Sequence, residues 1–167
     1  DIAHKSDVGG VKLGLRAGTI GPALDAMAAH LAAQNLPQPD GYLVQQMLSG
    51  GLEFILGLRC DPVLGPLALI GAGGVMAEIM EDSAIRLLPL SQADAEAMVG
   101  ELRLSKLLDG YRGGPRHDRT ALVKALLALS DMGMALGPRL SEAEINPLFV
   151  LPEGKGVAAA DGLAVIV

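Results

Sequence analysis

Three polar residues near the end of the chain have the types and spacing of a magnesium site. Glu144 and Asn146 lie two residues apart in "EAEINP", so a β-strand would present both side chains on one face. Asp161, in the following strand-like run "AADGLAVIV", comes alongside them if the segment between forms a hairpin. Carboxylate and amide oxygens suit Mg2+ carrying nucleotide phosphates better than they suit zinc. Acidic residues on an exposed strand face are the structural alternative.

A histidine ahead of a glycine pair opens the chain. In "DIAHKSDVGGVK", His4, Lys5 and Ser6 precede Gly9 and Gly10. Backbone N–H groups of glycine loops approach phosphate oxygens closely, and a lysine adds positive charge. A neutral imidazole nitrogen is also a nucleophile toward phosphorus. The alternatives are turn-forming glycines and a histidine that only orders the loop by hydrogen bonding. A second glycine cluster, "GAGGVMAEIMED", is open to the same two interpretations.

These residues need a scaffold, and the sequence predicts an α+β fold with helices packed on a largely antiparallel sheet. Helices are expected over 20–35, in "SQADAEAMVGEL" with Ser91 as its cap, and in "DRTALVKALLALSDMGMAL". The last helix should bury one stripe, formed by Leu122, Leu126, Leu129 and Met132. Short spacers favour antiparallel neighbours, since a parallel crossover needs a dozen or more residues. Strands are predicted in "VKLGLR", "YLVQQML", "LEFILGLRC", "PLALIG", "VMAEIM", "AIRLLPL" and "SEAEINPLFVL", with a closing hairpin around 152–154.

Composition limits the functional classes. The 167 residues, half of them apolar, suffice for one domain over 1–167. A net charge of −6 with two Tyr, two Phe and no Trp argues against nucleic-acid binding. No apolar run approaches the length that spans a bilayer, so we expect no membrane segment. The single cysteine, Cys60, fits a reducing compartment and a cytoplasmic location.

Five motifs in this order resemble the ATP-grasp domain of ADP-forming acyl-CoA synthetases, relatives of the succinyl-CoA synthetase β subunit. They are "DIAHKSDVGGVKLGL", "LVQQMLSGGLEFILGLRCDPVLGP", "GAGGVMAEIMED", "LLDGYRGGP" and "EAEINPLFV". The resemblance covers essentially the whole chain and implies an ATP-grasp fold. It also implies that an amino-terminal segment of the fold, which carries an ATP-contacting lysine in the family, precedes Asp1. The chain then represents part of a longer polypeptide and is inactive alone.

The resemblance implies a role for each candidate residue. The opening loop would place Lys5 and Ser6 near the β and γ phosphates, with the backbone of Gly9 and Gly10 behind them. His4 would be phosphorylated transiently as the second stop of a phosphoryl relay. We expect His30 and His117 to be structural or solvated.

The same resemblance assigns the rest of the nucleotide site. Gln45 and the backbone around Met47 and Leu48 would hold adenine as a hinge, and Glu53 would be the ribose-side carboxylate. Asn146 and Asp161 would hold Mg2+, with Glu144 as a further ligand.

The implied activity is that of an acid–CoA ligase: acyl-CoA + ADP + phosphate gives acid + CoA + ATP, with ATP/ADP and Mg2+ bound by this domain. The implied partners are CoA-binding and CoA-ligase domains, in the same polypeptide or a partner subunit, and we expect an oligomer. Two alternatives stay open. One is a non-catalytic regulatory ATP-grasp module of an acyl-CoA synthetase-like protein acyltransferase, and the other is a carboxylate–amine ligase, which needs no histidine in the phosphate loop. The acid and the preference for ADP over GDP are not indicated.

Overall fold

The structure is a computed structural model that describes residues 8–74 and 81–167, and the chain forms two compact units, Asp1–Met47 and Leu48–Val167. In the described part of the first unit, one α-helix, α1, spans Ile20–Ala33 and buries Met27 and Leu31. The helix predicted over 20–35 is therefore confirmed, and it ends two residues early, at the Gln34 C-cap.

Two predicted strands are wrong. Neither "VKLGLR" nor "YLVQQML" adopts regular secondary structure, and residues 11–16 are all exposed. A strand needs a neighbouring strand that forms hydrogen bonds with its N–H and C=O groups. The described part of the first unit contains no strand that could pair with these runs. The strand expected in "VMAEIM" lies outside the described residues.

The second unit is built on a six-stranded antiparallel sheet. The order of its strands is β3-β2-β1-β4-β5, and β6 also pairs with β4. The remaining strand predictions and the antiparallel pairing are confirmed, and Val150 pairs with Val157 across the predicted closing hairpin. The strands are β1 (Leu52–Asp61), β2 (Gly65–Ala72), β3 (Ser83–Leu87), β4 (Leu140–Val150), β5 (Val157–Ala159) and β6 (Gly162–Ile166).

The three described α-helices of this unit lie between β3 and β4 in the sequence. They are α2 (Gln92–Glu101), α3 (Ser105–Leu108) and α4 (Arg119–Leu136). Ser91 caps α2 as predicted, because its hydroxyl oxygen accepts a hydrogen bond from the Asp94 N–H at 3.1 Å. The Asp94 carboxylate accepts one in return from the Ser91 N–H at 2.9 Å, which completes a capping box.

One face of the sheet forms the core. Phe54, Leu56 and Leu58 alternate along β1 and are almost fully buried. Helix α4 packs on this face, where a Cβ placed on Gly133 would lie 3.1 Å from a methyl group of Leu58. The side chains between these positions along β1 therefore point to the opposite face, away from α4.

The buried stripe of α4 differs from the prediction at its end. Leu122, Leu126 and Leu129 are buried, but Met132 is 37% exposed and Gly133 takes the next inward position. By length and composition Arg119–Arg139 is apolar enough to cross a membrane. The expectation that no segment approaches this length is therefore too strict, although here the leucine stripe packs on the sheet as in a core helix.

Candidate functional site

The face of the sheet opposite the core carries the candidate site. Along β1 this open face presents Glu53, Ile55, Gly57 and Arg59, since they alternate with the buried residues. Residues that pair across strands share a face, so the register places other side chains beside them. The pairs on this face are Glu53 with Phe149, Gly57 with Glu144 and Leu69, and Arg59 with Glu142 and Leu67.

A β-bulge in β4 shapes the centre of this face. Phe54 pairs with Leu148 and Leu56 pairs with Ile145, so β4 uses one residue more than β1 over this interval. The extra residue lies in Asn146-Pro147. The bulge lets Leu148 and Ile145 both face the core while Glu144 and Asn146 stay exposed.

The three predicted metal ligands lie together. The Asn146 side-chain amide donates a hydrogen bond to Glu144 Oε1 at 2.9 Å. The Asn146 backbone N–H donates to the Asp161 carbonyl oxygen at 3.2 Å, where the chain turns into β6. One Asp161 carboxylate oxygen, Oδ1, accepts from the Gly162 N–H at 3.0 Å. The closing hairpin and the strand after it therefore bring Asp161 beside Asn146, as predicted.

The chemistry of these side chains fits Mg2+. Asn146 uses its amide nitrogen toward Glu144, which leaves the amide oxygen as a donor toward a cation. Together with two carboxylates this gives a set of hard oxygen ligands. Among residues 8–74 and 81–167 no three His, Cys, Asp or Glu side chains cluster as a metal site. Asn146 would therefore have to complete the set.

Glu53 lies beneath the start of the second glycine cluster. The Gly73 N–H donates to the Glu53 carbonyl oxygen at 2.8 Å, and a Cβ on Gly73 would lie 2.9 Å from the backbone of Phe54. A Cβ on Gly74, where φ is +57°, would lie 2.5 Å from a carboxylate oxygen of Glu53. Gly73 requires glycine because it crosses the backbone of β1 closely, and Gly74 favours glycine because its φ is positive. Local geometry therefore explains the glycines at positions 73 and 74, and no bound phosphate is needed to account for them.

A shallow pocket of about 200 Å3 adjoins Glu53. Leu52, Leu104 and Leu107 give it an apolar lining, which Gly51, Gly73 and Gly74 complete. An apolar pocket with a carboxylate at its edge can take a flat apolar ring and accept hydrogen bonds from attached hydroxyl groups.

The predicted phosphate loop is only partly described. His4, Lys5 and Ser6 lie outside the described residues. Gly9 has a φ of +70°, and a Cβ there would lie 2.9 Å from the His30 ring, so this glycine has a packing reason. The His30 ring nitrogen Nε2 also hydrogen bonds Gln34 at 3.1 Å, which agrees with a structural role. Gly10 lies in the same irregular segment of the first unit.

The predicted adenine hinge spans the boundary between the two units. Gln45 and Met47 are exposed residues at the end of the first unit, while Leu48 and Glu53 belong to the second. The segment has no regular secondary structure.

Sequence reasoning missed Gly57 and Arg59, although the alternation that starts at Glu53 places both on the open face.

The sequence also did not decide whether His117 is a structural residue or a solvated one. His117 is 8% exposed, and among the described residues its Nδ1 atom has no hydrogen-bond partner. Its backbone N–H donates to the Leu108 carbonyl at 2.9 Å, so it is a buried structural residue at the start of α4.

Two carboxyl groups at loops near the site have lowered pKa values. Backbone N–H groups of Leu64 and Val63 donate to Asp61 in the β1–β2 turn and lower its pKa. The Ala121 and Gly156 N–H groups lower the pKa of Asp118 by the same mechanism. Asp118 thereby links the start of α4 to the β4–β5 turn, which leads toward Asp161.

Comparison with known proteins identifies the fold family. Residues 1–166 match the family model described as an ATP-grasp domain. The chain is 35% identical over 159 residues to acetate–CoA ligase [ADP-forming] I of Archaeoglobus fulgidus, covering 94% of this chain and 23% of that protein. It is 32% identical over 152 residues to the β subunit of acetate–CoA ligase [ADP-forming] I of Pyrococcus furiosus, covering 89% of this chain and 64% of that subunit.

The fold also matches a solved structure, that of dinucleotide-forming acetyl-coenzyme A synthetase 1 of Candidatus Korarchaeum cryptofilum. That protein was solved in complex with coenzyme A and Mg-AMPPCP, with its phosphohistidine segment pointing towards the nucleotide binding site. The TM-score is 0.83 at 33% identity, covering all of this chain and 72% of the other. The chain thus spans about a quarter of the longer curated relative, and it belongs to the ATP-grasp family.

Proposed function

We propose that this chain is the nucleotide-binding part of an ADP-forming acid–CoA ligase, which converts acyl-CoA, ADP and phosphate into acid, CoA and ATP. The observation that carries the proposal is the grouping of Glu144 and Asn146 on the open face of an ATP-grasp sheet with Asp161, in the turn before β6, beside them. The curated relatives are CoA ligases that form ADP, which supports the enzyme and does not favour the regulatory module.

Each end of the open face has its own task. Glu53 accepts hydrogen bonds from the ribose hydroxyl groups, and the pocket of Leu104 and Leu107 holds apolar parts of the nucleoside. Asn146 and Asp161, with Glu144, would hold Mg2+ through their oxygen atoms. When bound, Mg2+ neutralises phosphate charge, which is most of what phosphoryl transfer demands beyond positioning.

The phosphoryl group reaches ADP through His4. A neutral imidazole nitrogen of His4 attacks the phosphorus of the phosphoryl donor, forming an N–P bond as the bond to the donor breaks. A terminal phosphate oxygen of ADP then attacks the same phosphorus, forming ATP and releasing the imidazole. Lys5 and Ser6 and the backbone of Gly9 and Gly10 contact the phosphates, while Gln45, Met47 and Leu48 hold the base. The phosphohistidine segment of the korarchaeal synthetase supports this relay.

The acyl-CoA chemistry belongs to CoA-binding and CoA-ligase domains, in the same polypeptide or in a partner subunit, as the separate β subunit of Pyrococcus furiosus supports. We further propose an oligomeric, cytoplasmic enzyme that uses Mg2+ with ADP and ATP.

The relay is tested with His4→Ala in the full-length protein. The variant should lose ATP formation from acyl-CoA, ADP and phosphate but keep the exchange of labelled phosphate into acyl-CoA, because that exchange precedes His4. A residue that only positions nucleotide would instead raise the apparent KM and leave a residual rate. Acid-labile, base-stable label on the wild-type chain, absent from the variant, identifies phosphohistidine.

The matched control is His30→Ala, which removes the ring packed against Gly9 but no predicted nucleophile. It should still acquire the label and form ATP. Near wild-type ATP formation by His4→Ala would refute the relay, as would equal losses in the two variants, because equal losses indicate loop ordering alone.

A further inference from the structure

Gly57 is a glycine that the fold itself does not require. It lies in the middle of β1, where glycine costs conformational entropy and offers no side chain to pack. A Cβ at this position would meet only ordinary contacts, 3.7 Å from Leu69 Cβ and 3.9 Å from the Ala143 carbonyl oxygen. Gly57 does not have a positive φ, so its backbone conformation does not require glycine either.

Two other glycines of the second unit illustrate a local reason for glycine. A Cβ on Gly73 would collide with the backbone of β1 at 2.9 Å, and one on Gly133 would lie 2.7 Å from a Leu88 methyl group. Gly57 has no such neighbour, so something other than packing within the described residues accounts for it. A glycine in a strand often marks the place where a ligand approaches the backbone.

The surroundings of Gly57 indicate which part of a ligand lies there. Glu144, one of the candidate metal ligands, is its direct partner on β4 and shares the open face. Glu53 lies four residues before Gly57 on the same strand, about 13 Å away at a rise of about 3.3 Å per residue. Glu53, which would face the ribose, therefore lies farther from Gly57 than its cross-strand partner Glu144, the candidate metal ligand. The gap at Gly57 therefore lies at the phosphate end.

Arg59 limits this gap on the other side. It follows Gly57 by two residues, so its side chain points to the same face, and it is exposed. Within residues 8–74 and 81–167 no ion pair to Arg59 is formed at 4.0 Å or less, although Glu142 pairs with it across the strands. The charge of Arg59 also acts on the nearby Asp61 carboxylate. A guanidinium that forms no close ion pair can take up phosphate oxygens in a bidentate manner.

We propose that Gly57 is a binding-site residue whose missing side chain leaves space on the open face. The phosphate end of the magnesium nucleotide occupies this space, between Glu144 and Arg59. The proposal rests on the proposed function and adds the place of the phosphates to it. A side chain at position 57 fills the space for the phosphates but leaves the core face of β1 untouched.

The test is a pair of substitutions, Gly57→Ala and Gly57→Val, in the full-length protein. Binding of Mg-ADP is measured by calorimetric titration, and unfolding without ligand is followed by thermal denaturation. We expect the affinity to fall in the order glycine, alanine, valine, by more than about tenfold for valine. The melting temperature should stay the same or rise, because valine favours strands.

The matched control is Ser83→Val. Ser83 lies on the same open face two strands away, where it pairs with Gly71 on β2, and it is exposed. This control adds the same β-branched side chain outside the space at Gly57, so Mg-ADP should bind as in the wild type.

Each other outcome overturns the proposal. Wild-type affinity in Gly57→Val would refute the binding-site role of Gly57 but leave the proposed function standing, because the wild-type protein still binds. A wild type that does not bind Mg-ADP would overturn both. A clear drop in melting temperature for Gly57→Ala, or failure of this smaller variant to fold, would show that packing requires the glycine.

Discussion

Removing the carboxylate of Asp118 should loosen two elements at once. Its Oδ1 atom accepts the Ala121 N–H at 3.0 Å and caps α4, while Oδ2 accepts the Gly156 N–H at 3.0 Å in the β4–β5 turn. An N-cap is worth about 1 kcal/mol, and a hydrogen bond from a backbone N–H to a partly exposed carboxylate about 1–2 kcal/mol. Asp118→Ala should therefore lower the free energy of unfolding by about 2–3 kcal/mol. For a chain of this size the melting temperature would fall by roughly 5–10 °C.

The effect should depend on pH with a defined sign. Donation from Ala121 and then Gly156 lowers the pKa of Asp118 in the folded state. A carboxyl group with a lowered folded pKa contributes stability above its unfolded pKa, about 4, and loses it as the pH falls through the folded value. The difference in stability between wild type and Asp118→Ala should be complete at pH 7 and should narrow progressively as the pH falls below about 4.

Thermal denaturation across pH 3–7 measures both quantities. Asp131→Ala is the matched control, since Asp131 is an exposed aspartate on the same helix and makes no hydrogen bond or ion pair within the described residues. A melting temperature for Asp118→Ala within about 2 °C of the wild type, or a gap that does not narrow in acid, would refute the assignment.

Two further substitutions test the metal ligands and the core. Asn146→Ala should weaken Mg-ADP binding by about 10–100-fold without changing the melting temperature, since it removes an exposed side chain that we propose as a metal ligand. Calorimetry at limiting Mg2+ checks this, and unchanged affinity would favour an ordinary exposed strand face. Gly133→Val should lower the free energy of unfolding by about 1–3 kcal/mol because its Cβ would lie 2.7 Å from a Leu88 methyl group. Urea denaturation should show a smaller effect for Met132→Val, at the exposed neighbouring position.

The sequence predicted the elements whose local pattern agrees with their surroundings. Strand β1 alternates buried and outward residues, and Ser91 has both partners of its cap within three residues. The run "VKLGLR" has a strand-like composition but no partner strand in the described part of its unit, so pattern alone was insufficient. Pairing is a tertiary property that a single segment does not encode.

The prediction that Met132 is buried at the end of α4 was wrong for a different reason. The stripe predicts Met132 because apolar side chains are assumed to face inward, whereas the helix turns Gly133 toward Leu58 and Leu88. A position where two elements approach too closely for a side chain is invisible to a search for apolar residues. The same limit hid Gly57, which has no side chain to suggest a role.

The sequence predicted that Glu144, Asn146 and Asp161 are neighbours, but it did not predict the bulge beside them. Spacing correctly placed Glu144 and Asn146 on one exposed side, and the hairpin brought Asp161 beside them. The bulge at Asn146-Pro147 adds one residue to β4, so that Ile145 and Leu148 both face the core. A strict alternation of inward and outward residues does not predict this extra residue.

The charges on the open face bear on how phosphate would be recognised there. Among the described strand-face positions and the adjoining Asp161, one guanidinium, that of Arg59, is accompanied by five carboxylates, those of Glu53, Asp61, Glu142, Glu144 and Asp161. Such a surface repels a polyphosphate unless divalent cations intervene, because like charges at short range raise each other's energy. Arg59 alone cannot reverse this balance. We therefore expect nucleotide binding on this face to depend on Mg2+, because a divalent cation would offset the negative charge of the carboxylates.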